Sequence, residues 1–275
     1  MRAKRALIIL VVVSVLSLPT YTSVQPMIDP VVVDPQTGGP WYAGIICSNL
    51  GLSYADKIQF DMKIPSGTPN DNDYYYVIGS CFDNNNNFIQ VGLSTFKESY
   101  DSNNIVETGG WWFCYSTAHV DMWGTPTDGY HDEMPYQLQS GRTYRFVMEI
   151  GKNPSGNWGY ANFYLYEYAY YAWYLRYSVS VFTNSADFII TNSLWFGFFP
   201  FMFPISCFWI AEEIHYLDYP DGSYDVPTKD FKPKNIRVDG SQYGSWWLFS
   251  AGVPSGQVEL TYSSYSIDID NSPFS

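Results

Sequence analysis

The sequence predicts an all-β fold, a jelly-roll β-sandwich of two antiparallel sheets, on three observations. Apolar residues recur at every second position in several segments, the period of a strand with one buried and one wet face. Clusters of Gly, Pro, Asn and Asp punctuate those segments at short intervals. The chain also carries 25 Tyr, 18 Phe and 10 Trp, and such bulky rings fill the wide layer between two packed sheets better than the narrow interior of a small barrel. No segment beyond the N-terminal leader shows the 3.6-residue period of an amphipathic helix.

The strand candidates follow in chain order. The first spans 42–48. The clearest comes next, where Ile58, Phe60, Met62 and Ile64 alternate with Lys57, Gln59, Asp61 and Lys63. Segments 74–80 and 87–93 flank the turn-forming asparagines Asn84 to Asn87, and 110–117 follows Gly109-Gly110. Tyr144, Phe146, Met148 and Ile150 repeat the alternation after the turn signal Ser140-Gly141. Segments 160–168, 176–183, 207–217, 234–238 and 257–264 complete the series.

The N-terminus reads as a secretory signal peptide, residues 1–23. Arg2, Lys4 and Arg5 precede an apolar run from Ala6 to Leu18, followed by small and polar residues, and that core is short for a membrane span. Residues 24–40 form a short leader or pro-segment, and 41–275 a single β-sandwich domain with an aromatic-rich insertion at about 168–209. The expected location is secreted or extracellular, including the cell surface, with no membrane contact after cleavage and a monomeric state. Three of the 14 Lys and Arg residues lie in the leader and none of the 27 Asp and Glu does, so the remainder carries 11 − 27 = −16. A chain that acidic is a poor partner for nucleic acid, whose binding rests on Lys and Arg neutralising phosphates. It suits an acidic medium, where protonation relieves self-repulsion.

Cys47, Cys81, Cys114 and Cys207 are too far apart for a C-x-x-C site, and in an exported chain they allow two disulfides in three pairings. His119, His131 and His215 lack metal-ligand spacing, so no metal or other cofactor is expected. There is no G-x-S-x-G elbow, no D-[ST]-G and no H-E-x-x-H. The uncharged run Leu194 to Pro204 is broken by Gly197, Pro200 and Pro204 and reads as buried core and hairpin rather than a spanning helix.

An ordered set of short motifs resembles the glutamic peptidases, the eqolisins. Trp41-Tyr42-Ala43-Gly44 resembles that family's W-A-G segment, Ile58 to Pro65 its strand ending in V-P, and Tyr75 to Gly79 its W-V-G-I-D. Ile89-Gln90-Val91-Gly92 is similar to L-Q-T-G, Gly110 to Tyr115 to A-W-Y-E-W-Y, and Leu138 to Ile150 to the strand introduced by S-x-G-D. Ala211-Glu212-Glu213-Ile214 resembles A-E-[WF]-I, with Asp221-Gly222-Ser223, Pro227 and Phe231 in the tail that follows. The chain departs from the pattern at Tyr76, Ser80 and Phe113, which stand where the family has Trp, Asp and Glu. The resemblance implies a concanavalin-like sandwich and an acid endopeptidase acting on polypeptides, with Gln90 and Glu212 catalytic. Trp41, Tyr76, Trp111 and Trp112, in the same segments, are the candidate substrate-binding residues.

The two functional groups suit that chemistry. A carboxylate can take a proton from the attacking water and return it to the leaving nitrogen. A glutamine amide donates to the developing oxyanion, a contribution of about 3 kcal/mol for one good donor. Strand alternation lets only one of Glu212 and Glu213 face a cleft; the family register selects Glu212, and a slip by one selects Glu213. The rival readings are a non-catalytic carbohydrate-binding or cell-surface sandwich, since Trp111-Trp112 and Tyr74-Tyr75-Tyr76 can stack on sugars, and a glycoside hydrolase. A retaining hydrolase needs two carboxylates about 5.5 Å apart, which neighbours on one strand cannot supply.

Overall fold

The computed structural model describes residues 41–47, 54–69, 75–83, 87–101, 104–120, 126–152, 159–183, 188–189, 209–214, 229–242, 246–251, 259–263 and 266–270. The leader, residues 24–40 and the run 194–204 lie outside the described residues. Seventeen strands follow one another with no helix among the described residues. They are β1 (Trp41–Cys47), β2 (Tyr54–Ala55), β3 (Lys57–Lys63), β4 (Tyr75–Asp83), β5 (Asn87–Asp101), β6 (Asn104–Val120), β7 (Pro126–Gln137), β8 (Thr143–Lys152) and β9 (Gly159–Ala169). The rest are β10 (Ala172–Thr183), β11 (Phe188–Ile189), β12 (Trp209–Ile214), β13 (Lys234–Val238), β14 (Ser241–Gln242), β15 (Trp246–Ala251), β16 (Glu259–Ser263) and β17 (Ser266–Asp270).

They form two antiparallel sheets. The first runs β15-β1-β12-β4-β5-β6-β7, with β11 and β2 off this path, and the second β10-β9-β8-β3-β13-β17-β16, with β14 beside β13. The alternation in β3 and β8 does what the pattern predicts: Ile58, Phe60, Met62 and Ile64, with Tyr144, Phe146, Met148 and Ile150, are all buried. Phe60 pairs laterally with Phe146, their rings stacked at 5.1 Å.

Aromatic contacts bind the two sheets face to face. Phe113 of β6 stacks on Phe146 of β8 at 6.1 Å, and Tyr115 of β6 stacks on Phe163 of β9 at 4.8 Å. Trp111 meets Phe231 edge-on at 6.0 Å, and the segment of Phe231 is bridged to Ile269 of β17. The aromatic content thus fills the inter-sheet layer, as sandwich packing requires.

Tyr144 is the largest fully buried side chain among the described residues, and its phenol oxygen accepts the Gln139 N–H at 3.0 Å. Burial pushes its pKa up, against a smaller opposing effect of that hydrogen bond. A group whose pKa is raised on folding stabilises the fold fully below its unfolded value, about 10 for tyrosine, and loses that contribution as pH rises further. Urea melts are expected to show stability falling from about pH 10 upward, and Tyr144→Phe to flatten that part of the profile.

The β9–β10 turn is strained. Ala169 pairs with Ala172, leaving Tyr170 and Tyr171 as a two-residue loop, and both have positive φ, 47° and 63°. That is the signature of a type I′ turn, which favours Asn-Gly. A residue with a Cβ there costs roughly 1 kcal/mol. The double change Y170N/Y171G is therefore expected to stabilise the chain by about 1–2 kcal/mol, read as a higher urea midpoint at unchanged slope.

Candidate functional site

The first sheet carries the candidate catalytic and substrate-binding residues Trp41, Tyr76, Gln90, Trp111, Trp112 and Glu212. β12 lies between β1 and β4, and β5 follows β4. Glu212 is opposite Ala43 on one side and Val77 on the other. Val77 is opposite Leu93, and Leu93 opposite Phe113. Residues aligned across a sheet share a face, and Phe113 is packed against the second sheet. Glu212 therefore occupies the inner face together with Ile210, two residues earlier; both are fully buried.

Gln90 belongs to the other set of rows. It pairs with Ser80 and with Ser116, three positions along β5 from Leu93, and its neighbours Ile89 and Val91 are core residues. An odd offset places it on the outer face of the first sheet, where it keeps partial exposure. The residue across from Gln90 on β12, through Ser80, is Trp209 rather than either glutamate. Gln90 and Glu212 thus stand on opposite faces and two strands apart. Neighbouring strands are about 4.8 Å apart, so the two side chains do not meet at one water.

Position 213 pairs with Tyr42 and Tyr76, and Tyr76 with Ser94. Those rows belong to the face of Gln90, but Ser94 is four residues from Gln90 along β5. Of the aromatic candidates, Trp111 is a core residue: it is buried, and its indole N–H donates to the Gly67 carbonyl at 2.8 Å. Trp112 occupies the outer face opposite Ser94, partly exposed, with the Lys97 ammonium 5.1 Å from its ring centroid. The backbones of Trp41 and Tyr76 are placed in β1 and β4, and their side chains lie outside the described part. Ser94, Cys114 and Ser116, small residues of this outer face, are buried.

The outer face of the second sheet holds a group that the motif reading did not select. Ala161, Phe163 and Leu165 of β9 point inward and are buried, so Tyr160, Asn162, Tyr164, Tyr166 and Tyr168 line the other side. Tyr164 and Tyr166 have centroids 6.3 Å apart, and Tyr168 packs on Trp173 of β10 at 5.1 Å. The rings keep partial exposure, with Tyr160 at 43% and Tyr168 at 42%. Burial beside Glu149 and Tyr166 raises the Tyr164 pKa, so its phenol is a neutral donor and acceptor at ordinary pH.

Polar groups stand among these rings. Arg145 pairs with Tyr166 and with Asp61 in the ladder. Its Nε and Nη2 donate to the two Asp61 oxygens at 2.6 and 3.0 Å, while its guanidinium carbon lies 4.1 Å from the Trp173 ring centroid. Asn235 Nδ2 donates to Asp61 Oδ2 at 2.9 Å, and Ser180 Oγ donates to Asn162 Oδ1 at 2.6 Å. Arg145 and Asp61 thus neutralise each other among rings, amides and hydroxyls. The signal was present in the sequence as the alternation Tyr160-x-Asn162-x-Tyr164-x-Tyr166-x-Tyr168, which marks a strand with a tyrosine-bearing outer face.

Among the described residues no group of three His, Cys, Asp or Glu side chains is placed to hold a metal ion. Comparison of the chain with protein-family models and with curated proteins finds no match.

Proposed function

We propose that the chain is an exported, non-catalytic glycan-binding β-sandwich whose binding surface is the outer face of the second sheet. The observation that carries this reading is the tyrosine row of β9, continued by Trp173 and framed by Asn162, Ser180 and the Arg145–Asp61 pair. A sugar ring offers C–H faces that gain from contact with aromatic rings. Its hydroxyls need donors and acceptors, which amides, phenols and serines provide. Mutual neutralisation of Arg145 and Asp61 favours an uncharged polysaccharide over an anionic one. A row of rings along a strand suits an extended chain of sugars better than a single small molecule.

The test is binding of the full chain to a panel of neutral polysaccharides. Tyr166→Ala and Trp173→Ala are each expected to weaken binding roughly tenfold, since one aromatic contact is worth about 1 kcal/mol or more. Gln90→Ala is expected to leave it unchanged.

The acid endopeptidase reading keeps one support, that Gln90 and position 213 fall on the same face of the first sheet. It is tested on the same preparation by hydrolysis of a denatured protein between about pH 2 and 7, the range in which carboxylates titrate. Acid-limited cleavage abolished by Glu212→Gln or Glu213→Gln, and by Gln90→Ala, would sink the non-catalytic reading. Folded wild-type chain that cleaves nothing at any of these pH values leaves glycan binding in place.

A further inference from the structure

We infer that the β9–β10 hairpin tip is a docking surface for an anionic lipid bilayer. Tyr170 and Tyr171 are 90% and 95% exposed while both occupy left-handed backbone. The chain thus holds two large rings in solvent at a position where Asn-Gly would be less strained. Strain retained at an exposed site points to a use for the residues that cause it. Tyr168, Tyr174 and Leu175 add exposed apolar area beside them. Tyrosine, with an apolar ring and a wet hydroxyl, is the residue type that settles at the boundary between headgroups and acyl chains.

Charge selects the surface. The register brings segments 61–69, 138–146 and 165–177 to one end of the second sheet: Thr143 pairs with both Lys63 and Tyr168. These segments contain Lys63, Arg142, Arg145 and Arg176 against Asp61 and Glu167, a balance of 4 − 2 = +2 in a chain of net charge −13. Both acids are buried, Asp61 against Arg145 and Glu167 against Arg176 at 2.8 Å and Arg142 at 3.7 Å. Lys63 is exposed and the Arg142 side chain is 53% exposed. An anionic surface repels the chain as a whole, so it meets this end first. Each Lys or Arg then adds attraction to anionic headgroups that decays within a Debye length. The leader alone gives no reason to expect membrane contact in the processed chain; the hairpin supplies one, and it does not depend on the glycan reading.

The test reads the tip directly, so that the leader in the full chain does not dominate it. Tyrosines are O-acetylated with N-acetylimidazole and mapped by mass spectrometry, with phosphatidylcholine–phosphatidylserine vesicles, with phosphatidylcholine vesicles, and without lipid. Modification of Tyr170 and Tyr171 is expected to slow roughly tenfold with the anionic vesicles only. Tyr160, ten residues before Tyr170 and roughly 30 Å from it along β9, is expected to react at one rate throughout. Protection should disappear at high salt and in Lys63→Gln/Arg142→Gln. Equal rates at Tyr170 and Tyr171 with and without anionic vesicles overturn the proposal. So does equal protection by the zwitterionic vesicles, or protection by a soluble neutral polysaccharide instead of lipid.

Discussion

Phe146→Ala is expected to destabilise the chain by about 4 kcal/mol, enough to lower its melting temperature by on the order of 10 °C. Phe146 is fully buried. Its ring stacks on Phe60 within its own sheet and on Phe113 of the facing sheet. Removing it therefore empties a site lined from both layers, and rigid antiparallel ladders on either side leave little room for collapse. Phe146→Leu keeps most of the volume and is expected to cost under about 1.5 kcal/mol. Urea unfolding of the two variants at equal slope checks the difference. If Phe146→Ala costs no more than Phe146→Leu, the ring does not bridge the sheets.

How much of this was legible in the sequence depended on where each strand sits. β3 and β8 are interior strands, and their alternation named the inward residues correctly from Ile58 to Ile64 and from Tyr144 to Ile150, although Gln59, Asp61 and Val147 on the face expected to be wet are buried as well. β13 was placed at 234–238 with its observed bounds. β7 gave no such signal: Pro126, Gly129 and Pro135 interrupt it, and its pairing with β6 shifts register three times. It escapes the usual penalty because it lies at the border of the first sheet, where a missing N–H costs no ladder bond. β17 has only Ile267 and Ile269 to show for its alternation, too few to stand out from a loop. In the region expected to be an insertion, the described residues 168–183 form the β9–β10 hairpin of the second sheet.

The candidate site was legible in composition but not in register. A motif fixes the identity of a residue and leaves its face open, and in a strand one position decides between core and surface. Ile210 before Glu212 and Leu93 after Gln90 carry that information, because both are apolar and both are buried. Glu212 is in phase with Ile210, and Gln90 is out of phase with Leu93. Alternation between β12 and β5 cannot be compared until the strand between them is aligned, which needs the β4 register.

The second large effect is expected at Asp61. Asp61→Ala should cost about 3 kcal/mol, because it removes one partner of a buried, forked ion pair and leaves a guanidinium only partly reached by solvent. The side chain of Asp61 is 2% exposed and that of Arg145 24%, so the uncompensated charge keeps some hydration and the loss falls at the lower end for such pairs. Asp61→Asn retains one acceptor for Arg145 and is expected to lose about half as much. Replacing both partners, with Arg145→Met beside Asp61→Ala, should recover part of the loss, since two apolar groups need no mutual compensation. Binding separates the roles of the pair. The fork to Asp61 holds the guanidinium over Trp173, so Asp61→Asn should weaken polysaccharide binding more than its modest stability cost implies. Binding that follows stability alone across these variants would mean that the pair only supports the fold, and that the rings of β9 and Trp173 bind without it.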